Sequence, residues 1–233
     1  MQVRADRVSL EGPHGTLLPP TSLTVSAGQF AIAHGEPGVG ITAFGLALAG
    51  RMKPTTGHVT LDGETASLRE LVAVVDAPGV SEPDDALSLR VVVGEELALA
   101  HLPAGKDDVA QWLAAQDLSA FASTRFENIE PALRTRLLST LAASRPGVRV
   151  LVLDTPDRHT SDVDSWARLA REHAERGLAV VVLSATTPFS ALPHPPARVG
   201  ELEQPEPLQC QPVPVDVETA PLEADTIAEG DQA

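Results

Sequence analysis

Gly35-Glu36-Pro37-Gly38-Val39-Gly40-Ile41-Thr42 carries the glycine spacing of a phosphate-binding loop, G-x-x-x-x-G-K-[ST], with isoleucine in the lysine place. Phe30-Ala31-Ile32-Ala33 leads into it as a buried strand, and Thr42 to Gly50 leads out as an apolar helix. Strand, glycine loop and helix form the setting in which backbone N–H groups converge on phosphate oxygens. Glycine lets the backbone approach closely. The lysine ordinarily adds a cation at the outer phosphates, whereas Ile41 neither donates a hydrogen bond nor carries charge. Losing a hydrogen bond to a charged group costs ~1.5–3 kcal/mol, a roughly ten- to hundredfold loss of affinity. The loop is shaped for a phosphate and lacks its main cation.

Composition narrows the classes. A length of 233 residues suggests one large domain, or one domain with a subdomain. The apolar share of 43% is ample for a core. Aromatic residues make up 3%, too few for a base-stacking platform, and the net charge of −15 opposes a nucleic-acid or anionic-membrane surface. No nucleic-acid partner is expected. Cys210 is the single cysteine, so neither an internal disulfide nor a thiolate metal cluster is available. The scattered histidines show no i, i+4 pair suggesting zinc. No apolar run approaches the ~18 residues that span a bilayer, and the first residues lack the apolar region of a signal peptide. A soluble cytoplasmic protein without direct membrane insertion is expected.

Outward from the loop, Val3 to Leu10 alternates weakly and reads as an edge strand. Leu17 to Val25 reads as a turn into a short strand, and His58 to Gly63 as strand and turn. Val72–Val75, Val148–Leu153 and Leu178–Leu183 are apolar runs suited to buried parallel strands. From Asp84 to Ser144 the pattern turns helical, which predicts a helical subdomain inserted into the sheet domain. Ser165 to Arg176 reads as a helix ended by Gly177. Residues 201–233 hold nine acidic residues, five prolines and no lysine or arginine, and are expected to be a disordered acidic tail behind a body of residues 1–200.

The order of these pieces resembles the ATP-binding domain of ABC transporters. Gly35 to Thr42 occupies the Walker A place. Leu48-Ala49-Gly50-Arg51-Met52-Lys53-Pro54-Thr55-Thr56-Gly57-His58-Val59-Thr60-Leu61-Asp62-Gly63 is close to the family's run LAGLLKPTSGEVTLDG. Val150 to Pro156 is similar to its Walker B strand, and Val180 to Thr186 to the strand before its switch histidine. The resemblance spans about residues 1–190 and lies in joint order and spacing, since each motif is altered. It implies a P-loop NTPase-like α/β fold: a sheet core flanked by helices, with a helical subdomain at about 84–144.

The departures fall on the chemistry. The resemblance implies that Asp154 and Thr42 hold Mg²⁺, and that the backbone of Gly35, Pro37, Gly38, Val39, Gly40, Ile41 and Thr42 holds the phosphates of ATP. Thr155 stands in place of the water-activating glutamate, and a lost general base costs ~10²–10⁴ in rate. Ala185 falls on the switch histidine, Asp76-Ala77-Pro78 on the Q-loop glutamine, and Ile129-Glu130-Pro131-Ala132-Leu133 on the signature before Arg134-Thr135-Arg136. His14 is the only ring near the adenine-stacking place, and Asp162 stands in the D-loop place. Plainer roles also suit these residues: turn glycines, a helix start at Thr42, a strand-end carboxylate at Asp154, a loop carboxylate at Asp162.

Weak or absent binding of ATP and Mg²⁺ without hydrolysis is therefore expected, in a docking or regulatory subunit. Its expected partner is an ABC-type membrane subunit or another transporter component, met at the inner face of the membrane. A working ATPase with altered motifs, and an interaction protein that binds no nucleotide, are the alternatives.

Overall fold

The computed structural model describes residues 1–62 and 68–212. Three strands, β1 (Gln2–Gly12), β2 (Gly15–Ser26) and β4 (Thr56–Leu61), form an antiparallel sheet in the order β2-β1-β4. The strand expected at an edge, Val3 to Leu10, is thus the central one. Its alternation is blurred because the register shifts between Ala5 and Val8, where Arg7 has φ 48°, and Val8, Ser9 and Leu10 are all buried.

The second sheet runs β5 (Val72–Val75), β6 (Val150–Leu153), β7 (Ala179–Ser184), β3 (Gln29–His34), β8 (Ala197–Arg198), all parallel to their neighbours. The interiors of β3, β5, β6 and β7 are apolar because both faces are covered. Ala31, Ala33, Val72, Val74, Val150, Val152, Val181 and Leu183 join the core shared with α1 (Ile41–Leu48) and the antiparallel sheet. The alternate residues, among them Phe30, Ile32, Ala73, Leu151, Val180 and Val182, face α6 (Val163–Glu175) and the helical insert. After the short α2 (Leu68–Leu71), that insert holds α3 (Leu89–Leu99), α4 (Lys106–Ala115) and α5 (Pro131–Ala143), as its periodicity predicts.

The start of the acidic tail requires correction. Residues 201–212 belong to the folded body. β9 (Leu208–Gln209) pairs antiparallel with the start of β3, and Cys210 N–H donates to Gly28 O at 2.9 Å. Ser22 N–H donates to Glu201 O at 3.1 Å. Proline and acid content conceal this segment, but β3 offers hydrogen-bonding groups beyond the short β8, and Leu208 and Cys210 cover Phe30. The remaining tail, residues 213–233, and Gly63 of the expected turn lie outside the described residues.

Candidate functional site

β3 ends at His34 and hands the chain to the glycine loop at the carboxyl edge of the sheet, where ligands meet parallel α/β sheets. Gly35 N–H is tied to Ser184 O at 3.1 Å, and Val39 N–H to Glu36 O at 3.1 Å. Gly38 and Gly40 take φ of 90° and 82°. Gly40 has a packing duty as well, because a Cβ there would lie 2.1 Å from Leu17 O of β2. Among the described residues the N–H groups of Gly38, Gly40, Ile41 and Thr42 have no protein acceptor. The loop keeps its ring of amides.

Ile41 faces elsewhere. It is 6% exposed and part of the apolar core beneath the loop. The position that would present a cation contributes to packing instead.

Thr42 and Asp154 do come together, with Thr42 Oγ1 donating to Asp154 Oδ1 at 3.0 Å. Thr155 Oγ1 donates to the same oxygen at 3.0 Å. Asp154 is 1% exposed, and burial pushes its carboxyl up to about 6, against the hydrogen bonds from Thr155 and Thr42. Its Oδ2 is buried without a partner among the described residues. A hydroxyl and a carboxylate with an orphaned oxygen are oxygen donors that fit Mg²⁺. Those two residues would hold it, and it would supply charge neutralisation for phosphate oxygens. No carboxylate or imidazole stands at Thr155 to act on water; its hydroxyl is spent on Asp154.

Where the resemblance leads one to seek a glutamine, Asp76 sits at 7% exposure inside an ion-pair cluster. Arg134 of α5, 4% exposed, grips it with Nε on Oδ2 at 3.0 Å and Nη2 on Oδ1 at 2.9 Å, and reaches Asp85 Oδ1 with Nη1 at 2.7 Å. Arg158 Nη1 donates to Asp76 O at 2.7 Å and Asp154 O at 3.0 Å, and Nη2 to Glu82 Oε1 at 2.8 Å. His159 Nε2 lies 3.1 Å from Asp76 Oδ2. Burial disfavours the Asp76 charge, but the hydrogen bonds from His159 and Arg134 prevail and hold its carboxyl below the usual range. Burial likewise opposes Arg134, and Asp76 outweighs it.

A second lock closes the switch loop. Asp157 Oδ2 accepts from Ser184 Oγ at 2.9 Å and from the N–H groups of Ala185, Thr186 and Thr187 at 3.0, 2.7 and 2.8 Å. These bonds prevail over burial and keep the Asp157 carboxyl low.

Other expected places have structural duties. Glu130 caps α5 by accepting from Leu133 N–H at 3.0 Å, with Pro131 opening the helix, and Ile129 is buried. Asp162 caps α6 through Ser165 N–H. His14 is exposed in the turn between β1 and β2. Asp157, Arg158 and His159 escape sequence reasoning. Their one trace is a charged run directly after a buried strand.

No protein-family model matches the chain. It is 25% identical over 176 residues to the ribose import ATP-binding protein RbsA 2 of Rhizobium johnstonii, covering 70% of this chain and 34% of that protein. It is 27% identical over 184 residues to the hemin import ATP-binding protein HmuV of Nocardia farcinica, covering 74% and 63%. The chain thus spans about a third of the first relative's length and under two thirds of the second's. An ABC transporter ATP-binding protein structure from Pyrococcus furiosus superposes with a TM-score of 0.62 at 14% identity, covering 85% of this chain and 96% of that one. The chain therefore has the fold of an ABC-type ATP-binding domain. In sequence it is similar to ATP-binding subunits of import systems.

Proposed function

We propose that this chain is an ABC-type ATP-binding-fold subunit that does not hydrolyse ATP and acts as a docking or regulatory partner of a transporter's membrane component at the cytoplasmic face. The observation that carries this reading is Ile41, buried at 6% exposure where the outer phosphates need a cation. Thr155, bonded to Asp154, and Ala185, whose N–H is bound by Asp157, remove the water-activating carboxylate and the switch imidazole from the same site. Phosphoryl transfer relies on positioning and charge stabilisation, and here both are depleted together. Thr42, Asp154 and the free amides support weak Mg-ATP binding at most. Docking runs through the helical insert, residues 84–144, and does not depend on ATP.

The test is steady-state phosphate release by purified protein with Mg-ATP, beside melting curves across ATP concentrations. Background release is expected, with a stabilisation by ATP below the ~2.7 kcal/mol that ligand at a hundredfold its Kd supplies. Turnover of about 1 s⁻¹ or more would establish a working ATPase.

A further inference from the structure

A cleft of roughly 640 Å³ opens along the first half of the glycine loop, lined by residues that include His34, Glu36, Gly38, Phe189, Arg198 and Val199. Its volume lies within the range of small-molecule sites. Gly40, Ile41 and Thr42 are not among its lining residues, so it is distinct from the Thr42–Asp154 pair.

Its walls are fixed. β8 pairs with β3 in a register that sets Arg198 beside His34. The Arg198 guanidinium lies 4.4 Å from the Phe189 ring centre, and the His34 ring meets Phe189 edge-on at 6.0 Å. His34 Nε2 is 3.1 Å from Thr187 O, so that nitrogen carries the proton, and Thr187 N–H is held by Asp157. The polar bonds of Arg198 run through its backbone, to the Gln204 side chain and from Glu201 N–H, and apart from the Phe189 ring its guanidinium has no hydrogen-bond or ion-pair partner among the described residues. Glu36 is exposed on the same cleft, and it too has no ion-pair or side-chain hydrogen-bond partner among the described residues. Gly38 N–H is free and its Cα open. A guanidinium and a carboxylate that share a cleft without pairing suit a ligand with an anionic end and a hydroxyl-bearing end. An arginine fork with an amide beside it matches the oxygens of a phosphate. The carboxylate accepts from hydroxyls.

We propose that this cleft binds a small phosphate ester bearing hydroxyl groups, with its phosphate on Arg198 and Gly38 N–H and its hydroxyls on Glu36. The inference shares the Gly38 amide with the loop read above but rests on Arg198 and Glu36, away from the Thr42–Asp154 pair, and leaves turnover undecided.

Calorimetric titration of the full chain with ribose 5-phosphate, inorganic phosphate and ribose tests it. Ribose 5-phosphate is expected to bind, phosphate more weakly, and ribose without measurable heat. Arg198→Ala should weaken ribose 5-phosphate at least tenfold, as loss of a charge-assisted hydrogen bond does. Arg198→Lys, which keeps charge without the fork, should fall between. Glu36→Gln should weaken ribose 5-phosphate and spare inorganic phosphate. Arg198 and Glu36 are exposed, so melting curves should stay near the parent's and separate lost binding from lost folding. The proposal is overturned if ribose 5-phosphate shows no binding at millimolar concentration. It is equally overturned if binding survives Arg198→Ala and disappears in Thr42→Val, which would put the ligand at the Thr42–Asp154 pair.

Discussion

Isoleucine and lysine at position 41 make opposite demands on their surroundings. Isoleucine at 6% exposure strengthens the core below the loop, whereas lysine there would leave apolar space unfilled and set a cation at the positive end of α1. Ile41→Lys should therefore cost about 1–3 kcal/mol in urea unfolding. Thr155→Glu alone should leave phosphate release at background, since no cation or switch imidazole returns with it; recovered turnover in that variant would refute the weight placed on Ile41. Asp76 and Arg134 are a different case, a buried pair. Arg134→Met should destabilise by about 3 kcal/mol because it strands the Asp76 charge, though Arg158 and His159 remain beside it. The double variant Arg134→Met with Asp76→Leu should regain part of that loss, measurable by the same unfolding curves.

Between α5 and α6 the buried His173 places Nε2 3.0 Å from Ser139 Oγ. Ser139 is 0% exposed and His173 1%, so no substrate reaches this pair and it is packing, not a catalytic dyad. Burial, with Arg176 and Arg136 nearby, lowers the His173 imidazole from 6.5 to about 4. A lowered imidazole binds its proton more readily when unfolded. Its contribution is thus complete above the ordinary value and lost as pH falls from 6.5 towards 4, by about 3 kcal/mol at the lower end. His194 is shifted the same way, chiefly by burial. Asp154 has the opposite sign: its raised carboxyl favours the fold at low pH and loses that contribution as pH rises from 3.8 through about 6. The two effects oppose each other, so the His173 component should be read as a difference. Stability of the parent minus that of His173→Leu should shrink between pH 6.5 and 4; a pH-independent difference would show the imidazole to be hydrated.

At the scale of the molecule, the closing of the body at β9 fixes where the chain can be cut. Truncation after Gly200 removes Glu201 from Ser22, Leu208 from Phe30 and Cys210 from Gly28. It should lower the melting temperature by more than a few degrees. Truncation after Pro212 leaves each of these contacts in place and should be nearly neutral in differential scanning calorimetry. Equal melting of the two truncated forms would mean that β9 adds nothing to the body.

The order of elements was legible from local signals: apolar four-residue runs for β5 and β6, glycine spacing for the loop, helical periodicity for residues 84–144. So were the residue types on which the proposed lack of hydrolysis rests: isoleucine, threonine and alanine at positions 41, 155 and 185 cannot become a cation, a base or an imidazole in any fold. That Thr42 and Asp154 belong to one place was implied only by the resemblance; the direct hydrogen bond between them is a finding of the structure. Tertiary structure alone decided which side chains surround the Thr42–Asp154 pair. Asp76, Arg134 and Arg158 stand 58 and 82 positions apart along the chain as hydrogen-bonded pairs, and nothing local in their sequence selects those partners. It likewise decided that β1 is central and that a proline-rich acidic segment pairs with β3. Both depend on which hydrogen-bonding edges remain open once the other strands are in place, and an open edge is a property of the assembled sheet.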